Sequence, residues 1–261
     1  MSSDVVFQSV SVDSGVSVGT VSFPAGRVGA SEWEMLADVA ESQGDGAIYV
    51  TSLAQCQVRG GSYSHAEPCA TVVATPGHFV ALAREIAGAV RRELTVGLDA
   101  GAGAILRQGF DVVFLLVDAS FHIHINGVST GQSVAPDDVV EVVRGLADAS
   151  ELSELSVEAV SKLCTPVAPI ALSAHKGNPA PIGWLEHDGV VSLGAGIPGG
   201  RVEARLARFI AVIEAETTIT PWNSLIIHDL HEGVAEQVVK VLAPMGLVFD
   251  ANSPLLESPA L

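Results

Sequence analysis

The feature that most constrains this sequence is an internal repeat, in which one order of elements occurs near each end of the chain. In the first copy, an alternating strand at 16–23 runs into a Gly-Arg-Val motif at 26–28. In the second copy, a strand at 190–193 runs into the same motif at 200–202. A helix and two extended segments follow in both places, so the repeat predicts two half-domains of one kind.

The helix of each copy has its own sequence signals. Ser31 and Glu34 have the spacing of a capping box, which predicts a helix start in the first copy. In the second copy a helix is predicted at 203–216. Its predicted buried face consists of Leu206, Phe209, Ile210 and Ile213. A threonine then follows the next strand in both copies, at Thr51 and Thr220.

A middle module with its own elements separates the copies. The predicted elements are helices at 79–92 and 136–149 and strands at 111–117 and 121–125. The glycine-rich stretch 97–103 predicts a hairpin turn, and the proline-containing stretch 150–180 predicts a connector. The predicted domains are residues 1–66, 67–165 and 166–261.

Composition narrows the classes of partner. The 261 residues carry a formal charge of −17, which opposes binding to nucleic acid or to anionic membranes. No apolar run is long enough to span a membrane, and the N-terminal Met-Ser-Ser-Asp has no export signal. Three separated cysteines are typical of reduced thiols, so we expect a cytoplasmic protein.

A Gly-x-Gly-x-x-Gly pattern at 194–199 lies between a strand and a helix, as in dinucleotide-binding proteins. However, Pro198 removes a backbone donor from the phosphate turn. The first suitable acidic residue, Asp229, is also too distant along the chain. A tight strand-to-helix turn is therefore the favoured interpretation.

Two histidine pairs have spacings that place them on a common face. His122 and His124 would share one face of a strand, and His228 and His231 would share a helical face with Glu232. Either pair could coordinate a metal, but neither has an evident third ligand. Solvent-facing histidines are favoured, and the sequence assigns no metal site and no catalytic residue.

Several motifs resemble a known family. Gly44-Asp45-Gly46, Thr51 and Gln57-Val58-Arg59-Gly60 resemble the ferredoxin-like half-domain of nitrite and sulfite reductases. Pro198-Gly199-Gly200-Arg201 and Thr220-Pro221-Trp222 look most like precorrin-3B synthase of cobalamin biosynthesis. The resemblance implies an α+β fold. It consists of two ferredoxin-like β-α-β-α-β half-domains related by pseudo-twofold symmetry, with an intervening α/β module.

The resemblance also implies a ligand and the residues that would bind it. Proteins of that family act on or carry a modified tetrapyrrole with many carboxylates. In the reductases this tetrapyrrole is siroheme. Family members also hold a [4Fe–4S] cluster on four cysteines. The implied ligand-binding residues are Arg27, Thr51, Arg59, Arg201, Thr220 and Trp222. Arginine suits this role because its planar guanidinium pairs with carboxylates in two places.

The sequence departs from the family at important positions. Leu53 and Asn223 stand where two anion-pairing arginines are expected. Three cysteines are too few for a cluster, and the sequence ends close to where the cluster module would begin. We therefore predict no cofactor held by this chain alone.

These observations favour a degenerate precorrin-3B synthase-like protein that binds a polycarboxylate tetrapyrrole without its own redox centre. One alternative is a subunit of an oxidoreductase completed by a separate cluster-bearing partner. Another is a non-catalytic interaction protein that kept the fold, since a fold alone does not establish a function.

Overall fold

The computed structural model describes residues 7–63, 68–148, 161–168, 180–187 and 190–257. The chain divides into two compact units. One comprises Met1–Ala66 with Pro179–Leu261, and the other, called the central unit here, comprises Glu67–Asn178. The two copies of the repeat therefore form one unit, although the middle module separates them in sequence.

Sixteen strands and five α-helices occur among the described residues. The first copy contains β1 (Ser9–Asp13), β2 (Val16–Ser22), β3 (Arg27–Val28), α1 (Ala30–Ser42), β4 (Ala47–Val50) and β5 (Gln55–Arg59). The central unit contains β6 (Ala70–Ala74), α2 (Val80–Ala89), β7 (Leu94–Asp99), β8 (Val112–Val117), β9 (Ser120–Ile125), β10 (Val128–Val134), α3 (Val139–Asp148) and β11 (Thr165–Pro166). The second copy contains β12 (Gly183–His187), β13 (Val190–Gly196), β14 (Arg201–Glu203), α4 (Ala204–Val212), β15 (Thr217–Thr220), β16 (Ser224–Leu230) and α5 (Glu232–Leu242).

The two copies exchange one strand each. The first sheet has the order β1-β2-β5-β4-β14, and the second has the order β12-β13-β16-β15-β3. In each sheet four strands come from one copy, and the short edge strand comes from the other. Helices α1 and α4 pack against each other. The predicted α+β fold with paired half-domains is confirmed, and the exchange ties the copies into one structure.

A short 3-10 turn precedes each exchanged strand, at Pro24–Gly26 and Pro198–Gly200. Gly26 and Gly200 both have a φ of 68°. A Cβ on Gly26 would lie 2.2 Å from the carbonyl oxygen of Ile219, and one on Gly200 would lie 2.6 Å from that of Val50. Only glycine fits such a close approach with positive φ. These turns therefore bring each exchanged strand against the other copy.

The helices differ from the sequence prediction in two details. Helix α1 begins at Ala30 after Gly29, and the Ser31 hydroxyl donates to Glu32, so the predicted capping box does not form. Gly29 supplies the extended backbone at the helix start without a side-chain cap. In α4, Leu206 and Ile210 are buried, but Phe209 is exposed. Phe209 lies beside the guanidinium of Arg205, whose carbon is 5.9 Å from the ring centroid.

The central unit is built on a six-stranded mixed sheet of order β11-β10-β9-β8-β7-β6. Strands β6, β7 and β8 are parallel, and the others are antiparallel. The predicted hairpin at 97–103 is wrong, because Gly97 to Asp99 end the buried strand β7. The Asp99 carboxylate then orders the following loop by accepting backbone N–H groups from Gly101, Gly103, Ile105 and Leu106.

Residue 166, the predicted start of the second half-domain, lies within the central unit. Strand Thr165–Pro166 pairs with β10 of the central sheet, and the central unit continues to Asn178. Most of the predicted connector, including residues 149–160 and 169–179, lies outside the described residues. Within the described ranges, no helix is long and apolar enough to cross a membrane.

Candidate functional site

The six predicted ligand-binding residues do not converge on one site. Thr51, Thr220 and Trp222 lie in two hairpin turns, whereas the three arginines lie in strands β3, β5 and β14. Arg59 and Arg201 approach a common tyrosine in the first sheet. Arg27 lies in the second sheet, where it forms an ion pair with Glu216. The structure thus divides the predicted set into three places.

The two hairpin turns, Thr51–Gln55 and Thr220–Ser224, have related constructions. Thr51 Oγ1 accepts backbone N–H groups of Leu53 and Gln55, at 3.2 Å each. Thr220 Oγ1 accepts the N–H of Trp222 at 3.3 Å and bonds to Ser224 Oγ at 2.6 Å. The threonine hydroxyls are therefore used to shape the turns, as in other Ser/Thr turns.

Gly200 brings these two turns together. A Cβ on Gly200 would lie 2.6 Å from the Val50 carbonyl oxygen, beside the first turn. It would also lie 3.2 Å from Asn223 Oδ1, in the second turn. We call the surface formed by Gly200 and the two hairpin turns the turn edge. Both copies contribute to it, as the predicted pseudo-symmetry requires.

Trp222 is the distinctive side chain of the turn edge. Its indole is half-buried, and its Nε1 is buried without a hydrogen-bond partner among the described residues. Leaving a buried N–H unpaired costs about 1–3 kcal/mol, so such groups commonly have a partner in the functional state. By contrast, Trp33 is fully buried and donates Nε1 to Thr217 Oγ1 at 2.8 Å.

Arg27 belongs to a closed cluster in the second sheet. It pairs with Thr218 across the strands, and its Nη1 donates to Glu216 Oε2 at 2.8 Å. His228, on the adjacent strand, bonds through Nε2 to Thr218 Oγ1 at 2.7 Å. Burial, followed by the nearby Arg27 charge, lowers the pKa of His228 to about 4. We call Arg27, Thr218 and His228 the second-sheet cluster; its polar groups are largely satisfied internally.

The corresponding cluster of the first sheet is less satisfied. Arg201 pairs with Tyr49 across the exchanged strand, and its Nε donates to Tyr49 Oη at 3.4 Å. Arg59 stacks its guanidinium on the Tyr49 ring, 4.0 Å from the centroid, a distance suited to a cation–π contact. Arg59 Nε is buried and has no hydrogen-bond partner among the described residues. We call Tyr49, Arg59 and Arg201 the first-sheet cluster.

An open cleft of about 550 Å³ adjoins the first-sheet cluster. Asp45 lies in it, and its Oδ2 accepts the Tyr49 hydroxyl at 2.7 Å. The lining residues are Asp13, Ser14, Val16, Val18, Gln43, Gly44, Asp45, Tyr49, Arg59, Gly60 and Gly61. The cleft thus combines a cation, two carboxylates and an apolar wall. No sequence motif points to Tyr49, because only the hairpin register, which pairs it with Gln57, places it near Arg59.

A second cleft, of about 710 Å³, lies within the central unit. Phe79, Leu116 and Phe121 contribute an apolar lining, and Glu85 and Asp137 add negative charge. No arginine or lysine is among the described residues that line it. It therefore offers no cation to a carboxylate ligand.

Each histidine pair differs from its prediction in one respect, the first pair in exposure and the second in secondary structure. His122 and His124 share one face of β9 as expected, but they are buried at 8% and 4% exposure. Burial lowers the pKa of His124, and the neighbouring His122 lowers it further. His228 lies in β16 and His231 precedes α5, so they share no helical face. Across the described part of the chain, no three His, Cys, Asp or Glu side chains group to hold a metal ion.

The cysteines do not fit an iron–sulfur cluster, which needs about four thiolates. Cys56 is buried in β5, and burial raises the pKa of its thiol to about 12. Burial also raises the pKa values of Cys69 and Cys164, which lie in the central unit. All three cysteines are free thiols, and none is assigned as a cluster ligand.

The glycine pattern at 194–199 forms no phosphate-binding turn. Gly194 and Gly196 lie within strand β13, and Gly199 lies in the 3-10 turn before β14. Strand β14 separates that turn from α4, so the expected direct strand-to-helix turn is replaced by the exchanged strand. The glycines permit close packing. A Cβ on Gly194 would lie 1.9 Å from the Pro181 carbonyl oxygen.

Comparisons with known proteins agree with this architecture. Residues 185–245 match the family model described as the nitrite/sulfite reductase ferredoxin-like half domain. No curated protein matches the chain in sequence. The structure resembles that of the NirA protein of Mycobacterium tuberculosis, with a TM-score of 0.73 and 13% sequence identity.

That resemblance covers 91% of this chain but 58% of the NirA chain. At 13% identity it shows a shared fold and no more. Residues 185–245 of the second copy therefore resemble a nitrite/sulfite reductase ferredoxin-like half domain, within a chain whose fold is similar to that of NirA.

Proposed function

We propose that this chain binds a polycarboxylate tetrapyrrole at the turn edge, as a precorrin-3B synthase-like protein of tetrapyrrole metabolism without its own redox centre. The observation that carries the proposal is Trp222. Trp222 belongs to the second hairpin turn of the turn edge, its indole is half-buried, and its Nε1 has no partner among the described residues. A planar aromatic side chain with an unused donor suits the edge of a planar macrocycle with polar substituents.

Arg201 supplies the accessible cation beside the turn edge. It directly follows Gly200, and its side chain is 39% exposed while paired with Glu203. An exposed ion pair is weak, so a ligand carboxylate can replace Glu203 at small cost. Arg27 is less available, because its side chain is 15% exposed and held by Glu216.

The departures at Leu53 and Asn223 limit the ligand. Neither residue can form an ion pair with a carboxylate, and the chain has a formal charge of −17. Each additional ligand charge without a cationic partner would be repelled. We therefore expect this chain to bind the ligand with a micromolar Kd. Its binding should be weaker than that of a reductase with arginines at both positions.

A second candidate function is a subunit of an oxidoreductase that a separate cluster-bearing partner completes. The observation that favours it is the set of free cysteines, which does not fit a cluster. The partner would then supply the cluster. Purification of the tagged chain from its native cells tests this alternative. An iron–sulfur protein that elutes with it at constant ratio supports the assembly, and elution of the chain alone contradicts it.

The main proposal is tested by titrating the purified chain with sirohydrochlorin, followed by ligand absorbance and tryptophan fluorescence. We expect saturable binding with quenching. Trp222→Phe should remove most of the quenching and weaken binding about five-fold. The matched control is Trp184→Phe, because Trp184 is 40% exposed and lies in β12, away from the turns.

Arg201→Ala provides an independent charge test. It should weaken sirohydrochlorin binding about ten-fold, whereas Arg208→Ala should not. Arg208 is similarly exposed but pairs with Asp38 and Glu41 on the surface of α1. Absence of any absorbance change at high ligand excess would overturn the tetrapyrrole proposal.

A further inference from the structure

The cleft beside the first-sheet cluster lies at the other end of the strands from the turn edge. Strand β4 starts at Ala47, next to the cleft residue Asp45, and ends at Val50, next to the Thr51 turn. Strand β5 runs back from Gln55 at that turn to Arg59 in the cleft. The cleft is therefore a separate place on the first sheet, and its use does not depend on the tetrapyrrole proposal.

We propose that this cleft binds a small zwitterion, an aliphatic α-amino acid or a short peptide ending in one. The chemical class follows from the arrangement of charges. Among the described residues that line the cleft, Arg59 is the single arginine or lysine, and Asp13 and Asp45 are the anions. Val16 and Val18 form the apolar part of the lining. A ligand with one carboxylate, one ammonium group and a small apolar side chain complements all three.

Arg59 is held ready for a carboxylate. Its guanidinium carbon lies 4.0 Å from the centre of the Tyr49 ring, so the ring fixes the plane of the guanidinium. Stacking on the ring face leaves the edge N–H groups of an arginine free to form hydrogen bonds. The buried Nε of the Arg59 side chain has no hydrogen-bond partner among the described residues. A ligand carboxylate would supply the missing bidentate partner.

Asp45 is held ready for an ammonium group. Its Oδ1 accepts the Ala47 backbone N–H at 3.2 Å, and its Oδ2 accepts the Tyr49 hydroxyl at 2.7 Å. A carboxylate has about four lone-pair positions, so capacity remains for a ligand donor. Tyr49 thus contacts both charged residues, stacking with one and donating to the other.

Glycines allow two chain segments that line the cleft to pack closely against each other. Gly61 has a φ of 79°, and a Cβ there would lie 2.4 Å from the Gln43 carbonyl oxygen. A Cβ on Gly44 would lie 2.6 Å from Val58 Cγ1. The chain segments after α1 and after β5 therefore approach more closely than side chains would allow. The two acids also repel polyanions, which distinguishes this cleft from a polycarboxylate site.

The test is isothermal titration calorimetry of the full chain with L-valine, compared with N-acetyl-L-valine and L-valinamide. L-Valine should bind with a millimolar or tighter Kd. N-Acetyl-L-valine lacks the ammonium group and L-valinamide lacks the carboxylate, so each should bind at least ten-fold more weakly. Glycyl-L-valine distinguishes the two ligand sources, because tighter binding of the dipeptide favours a peptide terminus over a free amino acid.

Variants locate the binding. Arg59→Leu should abolish L-valine binding, and Asp45→Asn should weaken it about ten-fold. Arg208→Leu is the matched control and should leave the Kd unchanged. Equal binding of the three valine derivatives to the unaltered chain would overturn the proposal without any variant. Absence of valine and glycylvaline binding at high concentration would do the same, as would full binding by a folded Arg59→Leu chain.

The two proposals fail separately. Trp222→Phe should leave L-valine binding unchanged, since Trp222 does not line the cleft. Conversely, Asp13→Asn changes a carboxylate of the cleft that bonds to Ser14 rather than to Tyr49, so it should leave sirohydrochlorin binding unchanged. Loss of both activities in either variant would indicate that the chain has unfolded, which circular dichroism detects directly.

Discussion

The two sheets of the unit that the repeat copies form, called the first unit here, have the same backbone exchange. They differ in the side chains that surround the exchanged strand. In the second sheet Arg27 is bound to Glu216, and His228 is neutral and bonded to Thr218. In the first sheet, at related strand positions, Arg201 reaches Tyr49 only at 3.4 Å, and Arg59 stacks on the same ring. One cluster is closed by internal partners, whereas the other keeps a cation facing an open cleft.

The comparison teaches where a duplicated fold can acquire a ligand site. The exchanged strand fixes the backbone in both sheets, so side chains at equivalent positions change without disturbing the pairing. A threonine in the second sheet allows a histidine to close the cluster. A tyrosine in the first sheet is large enough to stack an arginine and to bond Asp45 at the same time.

The largest expected effect tests whether both exchanges depend on the glycine turns. Gly26→Ala and Gly200→Ala should each destabilise the first unit by about 3 kcal/mol, because a Cβ is both strained and too close to a carbonyl. Urea unfolding followed by circular dichroism measures this free energy. Gly199→Ala is the matched control. It has positive φ but open space, and Ala25 occupies the related place in the first copy, so about 1 kcal/mol is expected.

A large loss of stability in one of these two variants and none in the other would contradict the similarity of the two exchanges. It would show that only one of the two edge strands is important for the pairing of the copies. Equal losses of stability would support the comparison of the two sheets, because the difference between the clusters would then lie entirely in the side chains.

The next effect concerns acid stability. The pKa of His228 falls from an ordinary 6.5 to about 4 in the folded chain, so the unfolded chain binds more protons between these pH values. The contribution of the neutral His228 to the free energy of unfolding is complete above pH 6.5 and is lost as the pH falls towards 4. It amounts to about 2 kcal/mol after allowance for partial exposure. His228→Gln should remove this part of the pH dependence of unfolding.

Two other observations separate His228 from the remaining histidines. Burial also lowers the pKa of His124, so His228→Gln should retain some acid sensitivity from the central unit. NMR titration of the imidazole signals should show one resonance, absent in His228→Gln, that stays neutral to about pH 4. An unchanged pH dependence in the variant would mean that the second-sheet cluster is not closed.

The smallest effect compares the two exchanged arginines directly. Arg27→Ala should cost about 1 kcal/mol, because Arg27 is largely buried and bonded to Glu216 at 2.8 Å. Arg201→Ala should cost only about 0.3 kcal/mol, as expected for an exposed ion pair. Thermal and urea unfolding of both variants provide the measurement. A larger cost at Arg201 would reverse the assignment of closed and open clusters.

Much of the fold could be predicted because its signals are local. Strands β2, β9 and β13 and helix α3 follow hydrophobic patterns that are visible within a few residues. The repeat itself was visible from the two Gly-Arg-Val motifs. The errors came where tertiary contacts replaced local signals: Asp99 ends a buried parallel strand, and the β9 histidines are covered by packing.

The candidate site was less predictable than the fold. The sequence named Arg59 and Arg201 but not Tyr49, which joins them. It also grouped Trp222 with arginines that lie in other places. The ligand-binding roles of all six predicted residues stay predictions, which the titrations above test.

The sequence by itself determined that the chain is an α+β duplication with too few cysteines for a cluster, since composition and periodicity are properties of neighbouring residues. Only the tertiary structure decided that each copy gives an edge strand to the other, because a strand of two or three residues has no pattern to identify its partner. That exchange places Arg201 beside Tyr49, 152 positions away. The difference between an open and a closed cluster therefore depends on pairing across the fold, which no local pattern records.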